Sequence, residues 1–305
     1  MIREYQSIAQ INWPLLTVRG VRGIACGEAA ELELAIGEIR PCKVLEIRDD
    51  TAVLLLFGRP DGIRLQGSKV RFLGHGWELG VSEDLLGRIF SGLGTPVDGG
   101  PDIIPEFQRN VTGIPVNPLE RLCPAEPVLT SVSAMDPRPL LRGQTLPVIS
   151  DAALPHAEFA ARIIRRAALN SGTDTAIVFA AIGSSFPDYK AVVQSFRHAG
   201  LLDRTVIFAN LAGDPVSERI LTPKLAMTAA EYLAFDQGLQ VFVLLSDMTN
   251  YVEELRELAA AKKEPTDNLG YPHTLRDSFA ALYERAGLRR DCTGSITMLP
   301  VLTAA

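Results

Sequence analysis

Three stretches of this chain, "TAIVFAAIG" (175–183), "RTVIFANLA" (204–212) and "LQVFVLLSD" (239–247), are continuous apolar runs of strand length. Nothing else in the sequence narrows the fold so much. A strand that alternates polar and apolar residues keeps one face in water, whereas a run without a polar face must be covered on both. The intervening segments have helical spacing. "PDYKAVVQSFRHAG" puts Tyr189, Val192, Val193 and Phe196 on one stripe, and "TAAEYLAFDQG" and "TNYVEELRELAAAKKE" read as further helices, the latter capped by Thr249 or Asn250. Doubly buried strands joined by amphipathic helices predict a parallel sheet between helical layers.

The N-terminal part has a different rhythm. In residues 1–75, Leu32, Leu34 and Ile36 alternate with Glu33 and Ala35. "KVLEIRDDTAVLLLF" places two strands around Asp49-Asp50, and "GRPDGIRLQGSKVRFLG" suggests two more. Short strands at near-even spacing predict a small β-barrel. Residues 76–146 are rich in Gly and Pro and read as a connection laid over a domain surface. Residues 147–305 then form the α/β domain.

Composition removes several classes of function. A net charge of −6 leaves no electrostatic footprint for nucleic acid. No apolar run reaches the roughly 18 residues that span a bilayer, and "MIREYQSIAQ" lacks the apolar core of a signal peptide, so no membrane insertion is expected. Cys26, Cys42, Cys123 and Cys292 are widely spaced, as are His75, His156, His198 and His273. This argues against a zinc site or a disulfide framework and fits reduced, cytoplasmic thiols.

On a parallel sheet, ligands bind beyond the carboxyl ends of the strands. The informative junction is "PVISDAALPHAEFAARI" (147–163), a buried strand (Pro147 to Ser150), a tight loop and an amphipathic helix beginning near Pro155. A phosphate-binding loop there needs glycines for close backbone approach, a Lys for the phosphates and a hydroxyl for Mg²⁺. In that register the chain has Ser150, Asp151, Ala152, Ala153, Leu154, Pro155, His156 and Ala157. Pro155 removes an amide donor, and Asp151 adds negative charge. The loop after 175–183 offers Ser184 and Ser185 where a hydrolase needs a carboxylate to orient water, and Asp188 reads as a helix cap. Asp247 ends its strand where a Mg²⁺-associated carboxylate would sit, or else caps the next helix. From the residues alone, a degenerate phosphate loop and an ordinary strand–helix connection both remain open.

Several long segments carry a resemblance across about residues 17 to 303. They are "VSEDLLGRIFSGLGTPVDGGP" (81–101), "VNPLERLCP" (116–124), "SAMDPRPLLRGQTLPVIS" (133–150), "LPHAEFAARI" (154–163), "LTPKLAMTAAEYLAFDQG" (221–238), "VFVLLSDMTNYVEELRE" (241–257), "LYERAG" (282–287) and "GSITMLPVLT" (294–303). The chain resembles the non-catalytic B subunits of archaeal and vacuolar-type rotary ATPases, which read "LPH" at the loop, as Leu154, Pro155 and His156 do here. The resemblance implies a barrel followed by a RecA-like nucleotide-binding domain. It implies a ring with the catalytic A subunit, contact with central and peripheral stalk subunits, and a place at the cytoplasmic face of a membrane whose protons or sodium ions the complex moves. It further implies no tightly bound cofactor, with ATP or ADP and Mg²⁺ at the interface with the catalytic subunit. The degenerate nucleotide-contacting set would be Ser150, Asp151, Ala153, Pro155, His156 and Asp247, with no catalytic residue and no metal ligand.

The chain departs from that pattern at Gly213, where relatives have an acidic residue, and in "HTLRDSF" after Tyr271-Pro272. It also stops at Ala305, before the interface arginine and C-terminal helical bundle that the resemblance would supply. The expectation is therefore either a B-type subunit, whole or as a fragment, or a degenerate paralog acting as a binding or assembly protein outside the ring.

Overall fold

The alternating N-terminal segment closes on itself because its strands have one apolar side. In a computed structural model, which describes all residues except 1, 60, 65–66, 133–138, 152–153 and 305, seven antiparallel strands are found there. They are β1 (Arg3–Tyr5), β2 (Ile8–Asn12), β3 (Leu15–Arg19), β4 (Glu28–Glu33), β5 (Ile39–Arg48), β6 (Thr51–Leu56) and β7 (Lys69–Gly76), in the order β1-β7-β4-β5-β6-β3-β2. Leu16, Val18, Leu32, Val44, Leu54 and Phe72 fill the interior of this barrel. On the outside of β4 and β7, Lys69 pairs with Glu33 at 3.1 Å and Arg71 with Glu31 at 3.4 Å.

Two expectations for the barrel need correction. Ile36 does not continue the alternation: it lies in the turn after β4 and is 77% exposed, the chain being reversed there by Gly37 at φ +83°. The segment 58–76 supplies one strand among the described residues, β7, instead of two. Asp49, by contrast, takes the left-handed conformation (φ +55°) at the turn between β5 and β6.

The chain forms two compact units. The first comprises Met1–Glu78, Asp214–Glu218 and Glu254–His273, and the second comprises Leu79–Gly213, Arg219–Glu253 and Thr274–Ala305. Residues 76–146 contribute β8 (Glu78–Val81), β9 (Ile89–Ser91), β10 (Phe107–Asn110), β11 (Arg121–Leu122), β12 (Pro127–Val128) and β13 (Leu140–Leu141). The rest of the strands are β14 (Val148–Asp151), β15 (Thr175–Ser184), β16 (Thr205–Leu211), β17 (Gln240–Ser246), β18 (Gly287–Arg289) and β19 (Ser295–Ala304). The main sheet runs β11-β18-β19-β17-β15-β16-β9, with β14 also paired to β19.

The three apolar runs become β15, β16 and β17, mutually parallel through β15. Helices α1 (His156–Asn170) and α2 (Phe186–His198) cover one face, where Ile163, Ile164, Val192 and Phe196 pack with Ile177, Phe179 and Leu244. Strand periodicity turns Ala176, Val178 and Ala180 the other way, and α3 (Thr222–Glu231) lies against β15, β16 and β17. A π-helical turn, Tyr232–Asp236, follows α3 directly. Helices α4 (Met248–Lys262) and α5 (Leu275–Tyr283) complete the set. Since α4 begins at Met248, Thr249 and Asn250 lie within its first turn and neither is its cap. Thr249 instead accepts the Thr303 backbone N–H at 2.8 Å.

One buried cation joins three of these segments. The Arg285 side chain, after α5, is fully buried. It donates from Nε and Nη2 to the two Glu231 carboxylate oxygens at 2.6 and 2.7 Å, from Nη2 to Thr228 at 2.9 Å, and from Nη1 to the Val111 carbonyl at 3.1 Å. Gly113 passes beside it at φ +65°, and a Cβ there would stand 2.2 Å from the guanidinium carbon.

Two substitutions test this account. Val243 is fully buried in β17, between β15 and β19. Val243→Asp buries an unpaired charge at a cost of several kcal/mol, so the chain should lose most of its stability; an unchanged melting temperature would show the strand to be misplaced. Arg285→Met strands Glu231 in a partly buried site and should cost about 3–5 kcal/mol. The double variant Arg285→Met/Glu231→Met should recover much of that loss in urea denaturation.

Candidate functional site

The parallel strands bring their carboxyl ends to one edge of the second unit. There β14 pairs with β19 from Val148↔Val301 to Asp151↔Ala304, which aims the following loop at the ends of β15 and β17. Pro155 stands at the N-cap of α1 and offers no side-chain cap. Its carbonyl accepts the Phe159 N–H at 3.0 Å, as a first helical turn requires. Ala152 and Ala153 lie outside the described residues.

What the loop does with its amides decides its chemistry. A phosphate cradle is a set of backbone N–H groups directed outward together. Here the Leu154 N–H donates to the Asp151 carbonyl at 3.0 Å, and the His156 N–H to the Leu154 carbonyl at 2.8 Å. Pro155, between them, has no N–H. The described part of the loop is thus hydrogen-bonded to itself.

A small cavity of about 110 Å³ lies beside it, lined by residues 154–158 together with Ser184, Asp188, Ser246 and Asp247. Pockets that enclose a drug-sized ligand are larger, roughly 300–1,000 Å³. Ser184 and Ser246, both buried, share a hydrogen bond at 3.3 Å across adjacent strand ends. Ser185 caps α2: its Oγ accepts the Asp188 N–H at 3.3 Å and donates to the Asp188 carboxylate at 2.5 Å. Asp188 therefore closes the cap reciprocally from inside the helix, with Ser185 in the cap position itself. The Nδ1 atom of His156 is buried without a hydrogen-bond partner among the described residues.

Asp247 does not continue the strand. It turns the backbone at φ +62°, a conformation that a short polar side chain tolerates. Asn250, one turn into α4, holds it: Nδ2 donates to the Asp247 carboxylate at 2.7 Å and to the Ile182 and Gly183 carbonyls at 3.0 and 3.3 Å. Gly183 takes φ +63°, and a Cβ there would meet Arg219 Nε at 2.7 Å and Asn250 Nδ2 at 2.9 Å. Burial pushes the Asp247 carboxyl above its ordinary range, while His156 and Arg219 draw it down and Asp188 pushes it up.

Of the sequence candidates, the cavity gathers Pro155, His156 and Asp247. Ser150 and Asp151 lie on β14 outside that lining, and β14 is not the buried strand expected: paired on one side with β19, it leaves Ile149 and Asp151 exposed. Arg219 and Asn250 were missed. Their signal was weak, because Arg219 sits some forty residues from the loop it serves and Asn250 reads as a cap. A Mg²⁺-nucleotide does not fit the described groups: the amides are engaged, the cavity is small, and no Lys lines it. Among the described residues there is no cluster of three His, Cys, Asp or Glu suited to a metal.

The fold defines a class, a β-barrel followed by an α/β domain of nucleotide-binding type. Family models agree: residues 8–74 match the beta-barrel domain of the ATP synthase alpha/beta family, and residues 132–305 match the nucleotide-binding domain of the same family. The chain belongs to the ATP synthase alpha/beta family. Membership implies a hetero-oligomeric ATPase complex in which such domains bind ATP or ADP. No helix among the described residues is long and apolar enough to cross a membrane.

The raised Asp247 carboxyl gives a signed prediction. Between the unfolded value, near 3.9, and the higher folded value, the native state holds a proton that the unfolded chain has lost. Stability from this group therefore falls as pH rises through that window. Asp247→Asn removes the effect, so the variant should gain stability relative to the parent on going from about pH 4 to pH 7. Urea midpoints at the two pH values measure this; a constant difference would mean Asp247 is not desolvated.

Proposed function

We propose that the chain is a non-catalytic, B-type subunit of a V/A-type rotary ATPase, translocating protons or sodium ions as part of the whole complex. The observation that carries this reading is the self-bonded loop, with the Leu154 and His156 amides engaged by loop carbonyls and Pro155 between them. Ser184 and Ser185, at the end of β15, supply no carboxylate to orient water. Such a subunit lends surface and nucleotide contacts to a catalytic A subunit, with ATP or ADP and Mg²⁺ at their interface, and it meets central and peripheral stalk subunits. Ser150, Asp151, Ala153, Pro155, His156 and Asp247 are the residues proposed to face nucleotide there. The whole assembly would lie at the cytoplasmic face of a membrane.

The experiment is to purify the chain alone and mixed with a cognate catalytic subunit, following mass and ATP hydrolysis. The chain alone should show no turnover, and the mixture should form an alternating complex whose activity resides in the partner. Hydrolysis by the isolated chain that Asp247→Asn abolishes would overturn the non-catalytic assignment. Failure to associate would move the chain to a binding or assembly role outside the ring.

A further inference from the structure

A second, larger cavity, of about 970 Å³, lies in the same unit and shares no lining residue with the first. Its walls come from β10 and the segment after it (Arg109, Asn117), the π-helical turn (Phe235, Asp236), and the end of β18 with the turn that follows (Arg289, Asp291). Its volume is at the upper end of the roughly 300–1,000 Å³ typical of ligand pockets.

The charges in this cleft are largely matched within it. Arg109 Nη2 donates to Asp236 Oδ1 at 2.8 Å, Arg289 Nη2 to Asp291 Oδ2 at 2.9 Å, and Glu231 is held by Arg285. Glu120, exposed, is the lining carboxylate left without an ion pair among the described residues. A charged ligand would have to displace an existing partner, so it recovers little net Coulomb energy.

What remains unmatched is hydrogen-bonding capacity. Asn110 and Asn117 use their side-chain oxygens to accept the Thr112 and Leu119 N–H groups at 2.9 and 3.1 Å, which leaves both amide NH₂ groups as donors. The second carboxylate oxygen of Asp236 remains an acceptor. Beside these polar groups, Ile114, Pro115, Val116 and the Phe235 and Tyr232 rings provide carbon surface.

We propose that this cleft binds a neutral ring bearing hydroxyl groups, the chemistry shared by saccharides and nucleosides. A hydroxyl both donates and accepts. Neighbouring hydroxyls can therefore satisfy the two amide donors and the Asp236 oxygen together, while the ring rests on the apolar wall. The assignment does not depend on the subunit role proposed above.

The test is isothermal titration of the whole chain with maltose and, separately, with adenosine. Thr112, exposed on the cleft wall, is outside the ion pairs, so Thr112→Trp fills the space without breaking them. Asn117→Asp keeps the acceptor that caps the loop, replaces the free donors by an acceptor oxygen and adds one negative charge, to which a neutral ligand has no Coulomb response. One of the two ligands should bind the parent and weaken at least about tenfold, or 1.4 kcal/mol, in Thr112→Trp, and several-fold in Asn117→Asp, with denaturation midpoints unchanged. A response to maltose assigns the saccharide source, and a response to adenosine the nucleoside source. The proposal fails if neither binds at millimolar concentration. It fails equally if spermidine or inorganic phosphate binds and is blocked by Thr112→Trp, or if adenosine binding responds to Asp247→Asn and not to the cleft variants.

Discussion

A guanidinium with no access to water must find its partners inside the protein, and Arg285 finds them on two segments distant in sequence, α3 and the passage after β10. The two oxygens of Glu231, the hydroxyl of Thr228 and the carbonyl of Val111 converge on it. Each partner fixes a piece of the second unit: the end of α3, its middle, and the strand-to-loop passage after β10. The geometry also dictates sequence nearby, since Gly113 can lie against the guanidinium only by having no side chain. The cleft depends on this arrangement. Glu231 and Thr228 belong to its lining, and Arg285 neutralises Glu231 from behind. A buried pair of this kind adds little net stability over an apolar replacement; what it imposes is a single arrangement of the segments that meet it.

The site at the strand ends is organised by a different economy of bonds. One amide side chain, Asn250, reaches two carbonyls of β15 and the carboxylate that follows β17. That holds Asp247 in its left-handed conformation without any ligand. The described part of the loop opposite bonds to itself, while His156 Nδ1 beside it stays without a partner among the described residues.

How much of this could be read from residues alone follows from how local each signal is. The apolar runs 175–183, 204–212 and 239–247 announced β15, β16 and β17 because two-sided burial leaves its mark on every residue of a strand. The barrel was legible through alternation, which failed at Ile36 because a turn needs only a reversible backbone and Gly37 supplied it. The start of α1 at Pro155 was legible from helical spacing, and Pro155 pointed to a missing donor. The engagement of the Leu154 and His156 amides was not, since a backbone hydrogen bond has no residue code. Arg219, Asn250 and the cleft were hidden for a related reason: each acts on residues tens or hundreds of positions away, and one sequence records no such pairing.

The pairing of β14 has a consequence for how the chain comes to be folded during its synthesis. Strands β1 to β7 pair within the first eighty residues, with β1 waiting only for β7. Among the described residues strand β14 pairs with β19 alone, and Val148 must wait for Val301. Contacts so far apart in the chain are the slowest to form, and a polypeptide leaving the ribosome folds its earlier domain first. The barrel can thus close while β14 still hangs unpaired. On the ribosome, the edge of the sheet that leads into α1 is set only once the last strand has emerged.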